Sequence, residues 1–276
     1  MVTQHAMSAR PSDVWAAGEA YEPYVGRWSR LVAREFLAWL ALERDLRWLD
    51  VGCGTGALTA TILAQAHPRA VLGIDPSEGF IAHARRNIHD ARANFEIGEA
   101  RNLPVEAGTF DAAVAGLVLN FVPEPARAVA EMRRAVVPGG TVAAYVWDYA
   151  EGMQLMRHFW DAAAALDRAA EDLDEGRRFP LCRPQPLHAL FAAAGLERVE
   201  LRAIDVPTVF RDFEDYWSPF LGGQGPAPTY CMALSEADRA RLRDRLERSL
   251  PRAPDGSIPL TARAFAVRGV SPRAQG

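Results

Sequence analysis

Asp50, Gly52, Gly54, Gly56 and Asp75 are the residues whose types and spacing most directly suggest chemistry. The glycines stand in LDVGCGTGALTA, Leu49 to Ala60, where an apolar run passes through alternating glycines into an alanine- and leucine-containing segment. That is a strand turning tightly into a helix, with backbone left bare for a ligand to approach. Gly52, Gly54 and Ala57 satisfy the dinucleotide fingerprint. Asp75 follows about 20 residues on, where a carboxylate would accept from ribose hydroxyls. Together they call for an adenosine-containing cofactor, without separating NAD from another such molecule.

Three further features break the tie. Asp50 sits just before the first glycine, where a carboxylate suits a positively charged amino group and would repel a pyrophosphate. Gly98-Glu99-Ala100 closes the third strand with a second acid, and Glu99 with the Ala100 backbone could hydrogen-bond an adenine amino group. GTFDAAVAGLVLNF places Phe110-Asp111 at the start of a fourth strand, and VVPGG precedes a fifth.

DVGCGTG, GIDPS, the GEA after the third strand, TFDAAVAGLVLNF and VPGG, in this order, resemble a class I S-adenosylmethionine-dependent methyltransferase. Within that superfamily the chain is most similar to the small-molecule branch of ubiquinone/menaquinone-biosynthesis-type enzymes, methyltransferase type 11-like. The motifs cover roughly Leu46 to Trp147, and the helix–strand pair Arg183–Val206 fits the same pattern. The resemblance implies S-adenosyl-L-methionine as cofactor. It also implies an α/β fold: three layers around a Rossmann-like seven-stranded sheet whose last strand is antiparallel.

The resemblance also assigns roles. Gly52, Cys53, Gly54 and Gly56 would line the methionine end of the cofactor, and Asp50 would orient that loop and the cofactor's amino group. Asp75 would accept both ribose hydroxyls, with Pro76 and Ser77 beside the adenosine. Glu99 and Ala100 would flank the adenine, although the family more often has Asp than Glu there. Leu117 would lie under the sulfonium, and Arg27 would pair with the cofactor carboxylate from an N-terminal helix that closes over the cofactor.

The chemistry implied is in-line displacement at a methyl carbon, which needs alignment and exclusion of water. A general base is needed only if the acceptor must lose a proton, so no residue is assigned that role. After the fourth strand the chain reads Gly116-Leu117-Val118-Leu119-Asn120, not the Asp/Asn-Pro-Pro-aromatic run of enzymes that methylate base amines. An apolar stretch with one amide fits a small, partly apolar acceptor, and the aromatic-rich caps suggest one that reacts through O or C on an aromatic or polyketide-like scaffold. Candidate acceptor residues are Tyr24 and Trp28 in AYEPYVGRWSR, Asn120, Trp147, Tyr149, His158, Tyr216 and Trp217. Each aromatic has a plainer reading as packing: Trp28 holding its helix to the sheet, Tyr216, Trp217 and Phe220 forming a satellite core. The loop GGQGPAP reads as a mobile lid.

The elements that must position these residues alternate. Helical spacing of apolar residues covers Ser29–Leu40. Strands read at Leu46–Val51, Ala70–Ile74, Asn94–Ile97, Phe110–Leu117, Thr141–Trp147, Val199–Val206 and Ile258–Val270. Helices read at Ala57–Ala66, Ser77–His89, Ala126–Val136, Gly152–Leu166, Pro186–Ala194 and Ser235–Leu250, with Ser77 and Ser235 as caps. An acidic and basic loop is expected through Arg178. Near-continuous apolar strands alternating with helices imply a parallel sheet covered on both faces. One methyltransferase domain is expected over 1–276: a core at about 45–149, continued by 184–207 and 257–270, with cap segments at about 1–44, 150–183 and 208–256.

Composition narrows the class. Hydrophobic residues are 49% and charged residues 24%, and the formal net charge is -4, without the basic face a nucleic-acid binder needs. There is no lysine, so a Ser-Tyr-Lys reductase set, a Schiff-base lysine and a Walker lysine are all excluded. The three cysteines are scattered and the histidines form no ligand pattern, so neither a disulfide framework nor a metal site is expected. With no signal-like h-region and no membrane-length apolar run, the expectation is a cytoplasmic monomer or homodimer that binds neither membrane nor nucleic acid. The rival readings are a cofactor-binding methyltransferase-fold protein without turnover, an NAD-dependent oxidoreductase and a macromolecule methyltransferase.

Overall fold

A computed structural model describes residues 26–222 and 225–273. The first described helix, α1 (Arg27–Leu40), buries Trp28, Val32, Ala33, Phe36, Leu37 and Leu40, the one-sided spacing of an amphipathic helix laid on a sheet. Strand β1 (Arg47–Val51) then leads through the glycine turn into α2 (Ala57–Gln65). Next come β2 (Ala70–Asp75), α3 (Glu78–Asn87), β3 (Ala93–Ile97), β4 (Phe110–Gly116), α4 (Pro125–Ala135) and β5 (Val136–Trp147). The expected cap Ser77 accepts from the Phe80 amide and starts α3.

The seven strands form one sheet in the order β3-β2-β1-β4-β5-β7-β6, with β6 spanning Glu197–Phe210 and β7 spanning Ile258–Val270. β1 through β5 run parallel, while β7 is antiparallel to both β5 and β6, as expected of the last strand. The centre is nearly continuous in apolar residues, with Ala112 to Ala115 of β4 and Val142 to Ala144 of β5 fully buried. Strand order reverses around β1, between β2 and β4, so the carboxyl ends of these strands splay helices to opposite faces and leave a crevice.

The insertions between β5 and β6 and between β6 and β7 build a cap. Helix α5 (Gln154–Leu166) agrees with its periodicity, but the expected loop after it is largely helical: a 3-10 turn at Arg168–Asp172, then α6 (Glu175–Arg178). Asp167 and Asp174 cap these pieces by accepting from the Ala169 and Gly176 amides. Helix α7 (Pro184–Ala193) returns to the sheet. After β6 come α8 (Phe213–Trp217), a 3-10 turn at Ser218–Gly222, α9 (Pro226–Ala233) and α10 (Glu236–Ser249). Part of the expected lid loop is therefore helix: Pro226 and Pro228 occupy the first turn of α9, where a missing N–H costs nothing. No helix among the described residues is long and apolar enough to cross a membrane.

Candidate active site

The glycine turn is shaped by its neighbours. The amides of Gly52 and Cys53 both donate to the Ile74 carbonyl, at 2.7 and 3.0 Å, which pins the turn to the end of β2. Gly52 has φ +71°, and a Cβ there would lie 2.6 Å from a Val118 methyl, so the position is closed to a side chain twice over. Gly54 has φ +53°, and a Cβ there would meet nothing within 4 Å. It borders a cavity of about 170 Å³ that opens at the carboxyl ends of β1, β2, β4 and β5.

Two carboxylates line this cavity. Asp50, 1% exposed, accepts from the Thr59 hydroxyl at 2.7 Å through Oδ2, while its Oδ1 has no partner among the described residues. Burial pushes the Asp50 carboxyl up to about 7, against the Thr59 hydrogen bonds and with some help from the Asp75 charge. Asp75 accepts the Gly54 amide at 3.0 Å and the Ser77 amide at 2.9 Å, one on each oxygen. Burial raises its pKa as well, opposed by those two amides. Each Asp75 oxygen keeps a further lone-pair site, so a pair of vicinal hydroxyls could still be held.

The remaining wall comes from the ends of β4 and β5. Gly116 lies in register with Tyr145, and a Cβ on Gly116 would come within 2.6 Å of the Tyr145 hydroxyl. The missing side chain thus lets the phenol reach the cavity floor. Leu117 adopts φ +59°, a conformation costly for a branched residue, and its amide donates to the Tyr145 carbonyl at 2.8 Å. Val118, Phe121, Trp147 and Tyr149 complete this end, with Phe80, Ser29 and Thr55 also lining the cavity.

Of the residues expected at the site, Asp50, Gly52, Cys53, Gly54, Asp75, Leu117, Trp147 and Tyr149 line the cavity. Gly56 sits behind the turn as the N-cap of α2, at φ +90°. The Cys53 thiol is raised far above its usual range by burial and is no nucleophile. Pro76 and Ser77 follow Asp75 at the head of α3, outside the lining, and Asn120 lies in the turn after β4, its Nδ2 unpartnered among the described residues. Ala100 also lies outside the lining, and Glu99 is exposed and faces Arg101 at 3.6 Å. Tyr24 and its neighbour Tyr21 lie outside the described residues.

The structure does not bring five other residues to the cavity. Arg27 donates to Asp215 at 3.0 Å and its guanidinium lies over the rings of both Trp28 and Phe210, because the start of α1 meets β6 and α8 there. Trp28 packs edge-on against Phe210 at 5.6 Å, the plainer of its two readings. Tyr216 is fully buried and its hydroxyl donates to the Leu155 carbonyl at 3.0 Å, and Trp217 stacks with Phe213, so both belong to the cap's own aromatic core. His158 lies half-buried on α5 with its pKa lowered by burial, also outside the lining.

Sequence reasoning missed Thr59, Val118, Phe121 and Tyr145. Thr59 follows Asp50 by the length of one turn and lies in the first turn of α2, a spacing from which its contact could have been inferred. The placing of Tyr145 depends on register between β4 and β5, which the sequence does not display. Among the described residues, no group of three His, Cys, Asp or Glu could hold a metal ion.

Comparison with known proteins agrees with this geometry. Residues 49–144 match the family model described as a methyltransferase domain. A demethylmenaquinone methyltransferase of Symbiobacterium thermophilum is 34% identical over 42% of this chain and 47% of its own length. A trans-aconitate 2-methyltransferase of Methylobacterium nodulans is 33% identical over 43% of this chain and 45% of its own. The alignments thus span about half or less of the curated relatives' length. In structure, the chain is similar to phosphoethanolamine N-methyltransferase 2 of Haemonchus contortus, solved in complex with S-adenosyl-L-methionine. The TM-score is 0.58, at 16% identity, over 92% of this chain and 56% of that one. Residues 49–144 thus match a methyltransferase-domain model, and the chain's fold is similar to that of the phosphoethanolamine N-methyltransferase.

Proposed function

We propose that the protein binds S-adenosyl-L-methionine at the glycine turn and transfers its methyl group to O or C of a small, largely apolar acceptor. The observation that carries this reading is the unpartnered Oδ1 of Asp50, buried in the wall of the same cavity that Gly54 borders, where a side chain on Gly54 would meet nothing. A carboxylate oxygen in that position is costly unless a cation or donor reaches it, which the ammonium of the cofactor would do. The same oxygen opposes the pyrophosphate of NAD, which argues against an oxidoreductase. The Gly52–Gly56 turn would hold the methionine part, Asp75 the ribose, and Leu117 the methyl-bearing end.

Held by the Gly52–Gly56 turn, Asp50 and Asp75, the cofactor would supply an electrophilic methyl carbon on a sulfonium to the acceptor's electron pair, its sulfur keeping the carbon–sulfur pair. The chain's contribution is alignment and dryness. The Leu117 turn and the Tyr145, Trp147 and Tyr149 wall would hold the acceptor in line and exclude water. We read the chain as one methyltransferase domain, a reading supported for the described residues by the set of buried side chains that cap helices and sheet share.

Calorimetric titration with S-adenosylmethionine, S-adenosylhomocysteine and NAD tests the cofactor. Micromolar binding of both adenosyl ligands, abolished by Asp75→Ala, is expected. Tighter binding of NAD would refute it. Release of S-adenosylhomocysteine on incubation with small-molecule extracts then separates an enzyme from a cofactor-binding protein without turnover.

A further inference from the structure

Charge is distributed unevenly around the cavity. Among the described residues lining it, the charged ones are Asp50 and Asp75 alone, both acidic and both at the cofactor end. The other end is apolar or aromatic: Leu117, Val118, Phe121, Tyr145, Trp147 and Tyr149. Arginines near this end are committed to other contacts. Arg157 donates to both oxygens of Asp174, at 3.1 and 2.7 Å, and to the Tyr149 carbonyl at 2.9 Å. The Arg178 guanidinium lies over the Phe179 ring, 5.4 Å from its centre.

An anionic acceptor entering this cavity would lose its water, meet no cation among the described lining residues and approach two acids. A neutral, flat acceptor would lose little and gain ring contacts.

Phe179 holds this wall in place from outside. It belongs to the cap, at the end of α6, and does not line the cavity. Its ring meets Phe121 edge-on at 5.1 Å and Tyr149 at 5.8 Å, so it wedges together a side chain from the β4 turn and one from beyond β5. The wedge is fixed by its own segment: Arg157 and Asp174 tie α6 to the Tyr149 backbone, and the Trp160 indole donates to Glu175. A Cβ on Gly176 would fall within 2.9 Å of the Tyr149 carbonyl, so the two segments are in direct contact.

We propose that the acceptor site selects uncharged, planar molecules and excludes carboxylates, and that Phe179 is the positioning residue that holds its ring-binding wall through Phe121 and Tyr149. The inference rests on the cofactor reading above. It runs against the name of the trans-aconitate relative, whose namesake acceptor is a carboxylate.

The test loads the full chain with S-adenosylhomocysteine and titrates 2-naphthamide and 2-naphthoate, which share a ring system and differ in charge. Binding of S-adenosylhomocysteine is measured first, and its absence defeats the cofactor reading separately. With it bound, 2-naphthamide should bind at least about 10-fold more tightly than 2-naphthoate. Phe179→Ala should weaken 2-naphthamide about 3- to 10-fold, the range one lost ring contact gives, and leave S-adenosylhomocysteine affinity within about 2-fold. Phe179→Tyr, which keeps the ring, should restore 2-naphthamide affinity, and Phe179→Leu serves if the alanine variant does not fold. Equal or tighter binding of 2-naphthoate, no binding of either naphthyl ligand, or loss of both ligand classes together in Phe179→Ala and Phe179→Leu overturns the proposal.

Discussion

At the scale of single residues the site is a set of local penalties that a ligand would relieve. Asp50 is the clearest. Its folded pKa of about 7 lies above the unfolded value of 3.8, so the neutral form is favoured in the fold. The ligand-free protein should therefore lose stability as pH rises from about 4 to 7, with Asp75 shifted in the same direction. Cofactor binding has the opposite sign, since an ammonium wants the carboxylate. Calorimetric affinity for S-adenosylmethionine should fall by up to about 10-fold per pH unit below pH 7. Asp50→Asn, which keeps an oxygen for Thr59, should bind about 10-fold more weakly at pH 7.5 and lose most of that slope. The two turn glycines separate stability from binding. Gly52→Ala meets Val118 and should cost about 1–3 kcal/mol in urea unfolding. Gly54→Ala has open space on the cavity side, so it should cost only about 1 kcal/mol and instead obstruct the cofactor.

At the scale of elements, what could be read in advance follows from how local the cause is. The caps at Ser77 and Ser235 and the span Ile258–Val270 of β7 were visible because a hydroxyl beside an amide, or alternating apolar residues, acts within a few residues. Strand β6 runs on to Phe210, past its expected end at Val206, because pairing with β7 continues to Ile258. The sequence of α6 suggests a loop, since its charges at Glu175, Arg177 and Arg178 look solvated. What orders it is a partner far away in sequence: Glu175 is fully buried and accepts from the Trp160 indole. Burial pushes the Glu175 carboxyl up to about 8 from 4.5, so it is held neutral in the fold. A raised acid pKa means stability present at low pH and lost as pH climbs between the two values. Thermal midpoints should fall from about pH 5 to pH 8, and Glu175→Gln, which still offers Trp160 an oxygen, should flatten that dependence. An unchanged slope in this variant would remove Glu175 as its cause.

For the whole molecule, the strand order β3-β2-β1-β4-β5-β7-β6 decides where chemistry can occur. Order reverses at β1, so the turn after β1, Asp75 at the end of β2 and Leu117 beyond β4 converge although they are far apart in the chain. The glycine turn and both acids of the cofactor end were readable because they sit in contiguous motifs. The acceptor wall was only partly so: Trp147 and Tyr149 could be named, whereas Phe179 needs the packing of cap on sheet. Arg27, Tyr216 and Trp217 went elsewhere for the same reason, drawn into contacts between α1, β6 and α8. A cofactor bound at this junction would bridge β1, β2 and β4, so it should stabilise the sheet as a unit and not one loop. At 100 times its dissociation constant, S-adenosylhomocysteine should add about 2.7 kcal/mol to folding, visible as a rise of roughly 2–4 °C per kcal/mol in the thermal midpoint. NAD at the same concentration should give no rise, and Asp75→Ala should abolish the rise seen with S-adenosylhomocysteine. A midpoint raised equally by both ligands would mean that the crevice recognises adenosine alone, with Asp50 playing no part in the choice.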